Sequence, residues 1–257
     1  MEPPQRSISC INSETAKNGY EEETLVCEDL ANKSIRDKFS AILGDVCGGG
    51  ECARVHGTSK CDVQSIDGRI RVQVKKYAMG RFQQLDRHWI DTFITYIPVF
   101  EGDVSHMLKD LCELPLLPSG THVDKTICVK KLGLSNYSQE QLDNFVMAFN
   151  DNKREIMEYA FMGTNLDMRP DYLIGVEYID KVRTRLVLFR VKDIIDYLVT
   201  LNFQISKKET VIKLGDGGVL SFQRKGGDGG KKGSNQLQIK IIVSKLIDNV
   251  YNLQHVL

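Results

Sequence analysis

No apolar run in the 257 residues approaches the roughly 20 needed to span a bilayer. Residues 1–9, MEPPQRSIS, lack the basic and apolar regions of a secretory signal. The seven cysteines are odd in number and follow no framework, which argues against disulfides as the device that holds the chain together. Reduced thiols in a cytoplasm are the expectation. There is no internal repeat, no low-complexity linker, and no Gly-Lys-Ser/Thr opening a helix after a strand, so repeat arrays and phosphate-cradling nucleotide loops are disfavoured. Nor is there net charge, since 34 Lys and Arg balance 34 Asp and Glu. What remains is a globular chain, 42% apolar, long enough for one large domain or two small ones.

The neutral balance is unevenly spread. Residues 1–32 hold seven acids against Arg6 and Lys17, whereas residues 203–245 hold nine Lys and Arg against Glu209, Asp216 and Asp228. The basic C-terminal stretch is the part suited to neutralising DNA phosphates.

Residues 61–77, CDVQSIDGRIRVQVKKY, organise the rest of the chain. Asp67-Gly68 between two alternating segments predicts a hairpin with a two-residue type I′ turn. That turn sets a register in which Val63 faces Val72 and Asp62 faces Gln73. Side chains alternate, so Val63, Ile70, Val72 and Val74 share a face suited to a core. The opposite face carries Asp62, Gln64, Arg71, Gln73 and Lys75. An acid, an amide oxygen and an ammonium thus converge on one patch. Mg²⁺ takes oxygen ligands while keeping waters and phosphate oxygens in its shell. Asp62 and Gln73 suit such an ion, and Lys75 suits an attacking water or the charge on a phosphoryl transition state. A solvated polar strand face would show the same pattern.

Asp62 followed by Gln73-Val74-Lys75 resembles the motif of PD-(D/E)xK nucleases, in the form where Gln replaces the second acid. Residues 71–89, RVQVKKYAMGRFQQLDRHW, and 221–241, SFQRKGGDGGKKGSNQLQIKI, further resemble the HinP-type restriction endonucleases. Residues 15–20 (TAKNGY), 113–115 (ELP) and 138–141 (SQEQ) are also similar, in the same order. The resemblance implies an α/β fold: a restriction-endonuclease-like mixed central sheet flanked by helices, with a C-terminal DNA-recognition subdomain. It implies a type II restriction endonuclease that hydrolyses duplex DNA with Mg²⁺ at a short G/C palindrome. GCGC, cut after the first G to leave two-base 5′ overhangs, is the family's site. Mn²⁺ would substitute for Mg²⁺, and Ca²⁺ would bind without catalysis. The implied roles are Asp62 as metal ligand, Gln73 as a weaker ligand and Lys75 as organiser of water and phosphate. Glu23 matches a family Glu and is implied as a further carboxylate at the metal; by composition alone it is equally a solvated acid. Such an enzyme goes with a DNA methyltransferase of the same specificity, without direct contact, and acts in a bacterial cytoplasm as a monomer or weak dimer. The expected division is a catalytic subdomain over residues 1–135 and a recognition subdomain over 136–257. Two rival classes stay open: a DNA-binding protein whose patch is inert, and a structure-specific repair nuclease on the same fold.

Residues 223–235, QRKGGDGGKKGSN, have the chemistry of direct readout. Arg and Lys donate to guanine O6 and N7, and Asp accepts from cytosine N4. Arg224, Lys225 and Asp228 therefore suit a G/C-only site, with Lys231 and Lys232 as phosphate contacts that position without specifying. Gln223 opens this run and Asn235, which matches a family Asn, closes it. Gln84, matching a family glutamine, joins them as a DNA contact.

Elsewhere the pattern predicts helix over residues 14–43 in two pieces, the second capped by Ser34, and helix over 83–97 with Leu85, Trp89 and Phe93 on its buried face. Trp89 then belongs to the core, and His88 is a core or surface histidine rather than a base. Ser138 with Gln141 predicts a capping box. Pro170-Asp171 with Glu177 mimics a catalytic motif but lacks its Lys, so a core strand over 172–177 is the better account. Cys47, Cys52, His56 and Cys61 have a loose zinc-like spacing, with reduced core or loop thiols the better account.

Overall fold

The computed structural model describes residues 14–44, 51–55, 60–97, 100–112, 133–224 and 236–257. Two units emerge. One comprises Met1–Ala78, Asn165–Val191 and Tyr251–Leu257, the other Met79–Thr164 and Lys192–Val250. They interleave in sequence rather than meeting at residue 135. The reason is topological. Strands β3 (Arg71–Tyr77) and β5 (Tyr172–Ile179) pair in parallel, and parallel neighbours need a long crossover. That crossover is the first segment of the second unit.

In the first unit, helices α1 (Glu14–Ala31) and α2 (Lys33–Leu43) accompany a six-stranded sheet. Its remaining strands are β1 (Cys52–Arg54), β2 (Val63–Ser65), β6 (Val182–Arg190) and β11 (Asn252–Val256). The order is β1-β2-β3-β5-β6-β11, antiparallel except at β3–β5. Val63, Ile70, Val72 and Val74 join Val26, Leu30, Phe39, Ile174 and Leu188 in one core, as the alternation predicts. Each large side chain removed from water there stabilises the fold by about 1.5–3 kcal/mol. Asn32, not Ser34, caps α2: its side chain accepts from the Ser34 N–H at 2.9 Å. Both residues are competent caps, and the chain enters the helix two residues earlier.

The hairpin register is as expected at Val63 opposite Val72 and Gln64 opposite Arg71. The expected Asp62–Gln73 pair is not in the ladder: Asp62 lies outside β2 and its N–H donates to the Val72 carbonyl. The turn also differs. The Gly68 N–H donates to the Ser65 carbonyl and the Ser65 N–H to the Ile70 carbonyl, each at 2.9 Å. Gly68 has φ +74°, but Asp67 does not share that left-handed region, as type I′ would require. Asp67 instead uses its carboxylate, accepting from Ser65 Oγ at 2.6 Å and the Arg69 N–H at 3.1 Å. A four-residue loop and a two-residue turn preserve the same pairing, which is why the register survives the change.

The second unit holds a five-stranded antiparallel sheet in the order β4-β10-β9-β8-β7: β4 (Gln83–Trp89), β7 (Phe203–Ile205), β8 (Val211–Leu214), β9 (Leu220–Arg224) and β10 (Gln236–Ile241). Helices α3 (Ile90–Tyr96), α4 (Gly102–Cys112), α5 (Gln139–Asp151), α6 (Lys153–Met162), most of α7 (Val191–Leu198) and α8 (Val243–Ile247) belong to it. A ring cluster of Phe93, Phe100, Phe149, Phe203 and Phe222 fills its core. α5 opens on the expected capping box, with Ser138 and Gln141 bonded in both directions.

Residues 83–89 are strand, not helix. Leu85, Trp89 and Phe93 mimic a helical stripe because the pattern straddles a bulge and a strand–helix boundary. β4 shifts register against β10 at Leu85, which is buried, while Trp89 ends the strand 54% exposed and Phe93 lies within α3. The core-facing positions Asp86 and His88 are polar, so neither apolar alternation nor propensity marks the strand.

Candidate active site

Asp62 leads into β2. Its N–H donates to the Val72 carbonyl at 2.8 Å, and its Oδ2 accepts from the Val74 N–H at 2.7 Å. The carboxylate therefore occupies the ladder position that a carbonyl of β2 would hold had the two strands stayed paired. Burial pushes its pKa up; the Lys75 ammonium, the Val74 N–H and Lys60 pull the other way without cancelling the rise. Lys75 is two residues beyond Gln73 on β3, and both point to the face away from Val72 and Val74.

Glu23 joins this group from α1. Burial, then the Asp62 carboxylate, raise its pKa to about 7, against the opposing pull of Arg54 and Lys75. Arg54 on β1 lies with Nε 2.8 Å from Glu23 Oε2 and its guanidinium 4.1 Å above the Tyr20 ring. Three of the four expected catalytic residues, Glu23, Asp62 and Lys75, thus form one electrostatic cluster. Gln73 is 2% exposed, and among the described residues its Oε1 has no hydrogen-bond partner.

The rival motif is spent on structure. Asp171 takes a two-point bond from Arg71, at 2.9 and 3.1 Å. Glu177, 3% exposed, is held by Arg185 at 2.8–3.0 Å and by Thr184.

The site thus consists of a carboxylate seated in a gap of the sheet, an amide and a lysine two apart on the next strand, and a helix acid coupled to the carboxylate and the lysine. The model of the R.HinP1I restriction endonuclease family matches residues 59–247. The chain belongs to that family. It is accordingly a type II site-specific deoxyribonuclease. Among solved structures it is similar to the restriction endonuclease MspI in complex with its cognate DNA. The likeness covers 88% of this chain and 91% of that one at 8% identity and a TM-score of 0.52, a likeness of fold. No curated protein matches the chain.

Restriction endonucleases generally use divalent metal ions, and the donor set in this member of the R.HinP1I family fits one. An acceptor left unpaired in the interior costs about 1–3 kcal/mol, and a cation is a partner that the lone Gln73 oxygen would take. Among the described residues no group of three or more His, Cys, Asp or Glu forms a metal cluster. Two of the four residues of the zinc-like spacing, Cys47 and His56, lie outside the described residues. Cys61 is buried and donates from Sγ to the Val63 carbonyl at 3.1 Å.

Of the expected reading residues, Lys225, Asp228, Lys231, Lys232 and Asn235 lie outside the described residues. Gln84 and Gln223 share one face of the five-stranded sheet, and Gln84 accepts from Gln238 at 2.7 Å. Arg224 points to the other face, opposite Leu237, half-buried and influenced by Cys112 of α4. Burial lowers its pKa, and among the described residues its Nε has no partner. His88 contacts Asp86 through Nε2 and Tyr159 Oη through Nδ1, a structural network in this family member and not a base. Sequence reasoning missed Arg54, because a three-residue strand beside a glycine run carries no signal of its own. It also missed the exposure of Trp89.

Proposed function

We propose that this endonuclease is Mg²⁺-dependent and recognises GCGC, or a close relative such as an interrupted GC…GC site. Cleavage after the first G leaves two-base 5′ overhangs. The observations that carry the catalytic half are the coupling of Glu23 to Asp62 and Lys75 and the buried, unpartnered Gln73 Oε1 two residues before Lys75 on β3. Asp62 and Gln73 would hold the ion, with Glu23 as the third donor. When bound, that ion supplies positive charge at the scissile phosphate and lowers the pKa of a ligated water. Asp62 is oriented in advance by the Val74 N–H. Lys75 would donate a hydrogen bond to a non-bridging phosphate oxygen, offsetting charge that grows in the transition state and fixing the phosphate for in-line attack. Arg54 holds the Glu23 carboxylate in place, so it is a positioning residue.

The reading half rests on chemistry and resemblance. Lys225 offers a donor to guanine and Asp228 an acceptor to cytosine, and nothing in the run suits a thymine methyl. Arg224, which starts from the helix-facing side of β9, would have to reach past the strand end to join them. Gln84, Gln223 and Asn235 add amides, and Lys231 and Lys232 phosphate contacts. Catalysis is assigned to the unit with the six-stranded sheet and reading to the other. The enzyme acts as a monomer or weak dimer in a bacterial cytoplasm, beside a methyltransferase of the same specificity. Among the described residues no helix is long and apolar enough to cross a membrane.

Digestion of plasmid DNA with Mg²⁺, followed by sequencing of the ends, tests the whole. Discrete fragments with GC at every junction are expected. Absence of cleavage would favour an inert DNA-binding protein, and structure-dependent nicking a repair nuclease. Discrete fragments whose junctions lack GC would remove the assigned specificity.

A further inference from the structure

The five-stranded sheet has two unlike faces. On one, Leu237, Ile239 and Ile241 of β10 stand opposite Phe222 and Leu220 of β9 or the buried side of β4. The other follows from the same register. Gln236 is opposite Trp89, Gln238 is opposite both Arg87 and Gln223, and Lys240 is opposite both Gln84 and Ser221. Lys213 continues the row from Ser221, with Gln204 beyond it. Arg87, Lys213 and Lys240 are the charges on this face, and the paired positions include no Asp or Glu. In a chain whose acids equal its bases, an acid-free sheet face studded with amides is a local bias. Trp89 stands at its corner, 54% exposed, where β4 turns into α3.

We propose that this face is a docking surface for the DNA duplex, with Trp89 packed flat against a nucleotide and Arg87 beside it as a cationic contact. The inference rests on the nuclease reading and extends it to residues outside the glycine-rich run. Charge complementarity names the occupant: phosphates match the Lys and Arg, and groove edges match amides that both donate and accept. An exposed indole is costly against water and well suited to a nucleotide face.

Trp89 is the single tryptophan of the protein, so its emission reports this surface alone. The experiment titrates the full chain, in Ca²⁺ to prevent cleavage, with a fluorescein-labelled duplex carrying the sequence read from digest termini. Anisotropy of the label gives binding, and on an unlabelled duplex tryptophan emission and acrylamide quenching give the environment of Trp89. Emission is expected to change, and accessibility to acrylamide to fall, in step with binding. Trp89→Phe should bind within a few-fold of wild type, and Trp89→Ala roughly ten-fold more weakly. Gln236→Glu, placing an acid next to Trp89, should weaken binding in low salt and less in high salt. Binding without any change at Trp89, or Trp89→Ala and Gln236→Glu that bind normally, would overturn the docking surface while leaving the nuclease reading intact. A wild-type chain that neither binds nor cuts any duplex would overturn both.

Discussion

The two sheets handle polar side chains in opposite ways. In the six-stranded sheet the polar groups of interest are few, buried and mutually dependent. Asp62 is raised by burial, Glu23 by burial and by Asp62, and Gln73 is enclosed with its oxygen unpaired. In the five-stranded sheet they are many, half-exposed and repeated along strands, with amides and cations recurring opposite one another. Chemistry needs a desolvated site where each charge acts at close range. Recognition needs many modest contacts that exchange water for a partner. The first sheet should therefore fail all at once when a single group is lost, and the second by degrees.

The sharpest break is Lys75→Ala. Loss of the ammonium at the phosphate should reduce the single-turnover cleavage rate by about 10³-fold, while binding of the specific duplex in Ca²⁺ stays within a few-fold. A variant that still cuts at more than a few per cent of the wild-type rate would remove Lys75 from the mechanism.

Next is Gln73→Glu, which restores the acid that the motif more often carries. A third carboxylate would then be enclosed with Asp62 and Glu23, and the metal-free protein should lose about 2–3 kcal/mol of stability at pH 8. Mg²⁺ or Mn²⁺ should return most of it, through tighter binding to the added charge. Denaturant melts with and without metal read this directly. Equal stability of the two metal-free proteins would mean that Gln73 does not share the carboxylates' enclosure.

How much of this could be read beforehand divides along the same line. The hairpin, its core pairing of Val63 with Val72, and the placing of Asp62 near Lys75 were legible, because a period of two and a Gly at the turn act locally. Residues 83–89 were not. Their strand depends on β10, about 150 residues away, and its core face is made of Asp86 and His88, held in place by each other and by Tyr159. Trp89 was misplaced for the same reason: hydrophobicity points inward by default, and only the β4–β10 register reveals that this position faces the polar side. Glu23 was legible as an acid in an acidic helix, but its coupling to Asp62 and its pairing with Arg54 are products of tertiary structure.

On the reading side, Arg224→Ala and Lys232→Ala should differ in kind. If Arg224 donates to guanine, its removal should cost roughly 1–3 kcal/mol against the specific site and little against others, relaxing selectivity. Lys232→Ala should weaken all duplexes alike and flatten the salt dependence by about one. Affinities measured across a salt series on specific and scrambled duplexes separate the two. A uniform loss in Arg224→Ala would reassign it to the helix-facing packing in which its stem already lies.

The smallest effect expected is Glu23→Gln in the metal-free protein, and it has a definite sign. Glu23 titrates at about 7 in the fold against an ordinary value of 4.5, so the folded state binds its proton more tightly than the unfolded chain does. The native state is therefore penalised as pH rises above 4.5, with the penalty complete above about 7. The amide avoids that penalty but deprives Arg54 of its anionic partner, which offsets part of the gain. Glu23→Gln should thus be the more stable protein by about 1–2 kcal/mol at pH 8, with the advantage shrinking as pH falls and gone by pH 4. The same coupling predicts proton uptake by the buffer when metal binds near pH 6–7, because a protonated carboxyl must release its proton to become a ligand. Calorimetry in two buffers of different ionisation enthalpy measures that release. A stability difference that does not vary with pH, together with metal binding that releases no proton, would separate Glu23 from the Asp62 cluster and leave it as the surface acid its sequence neighbours suggest.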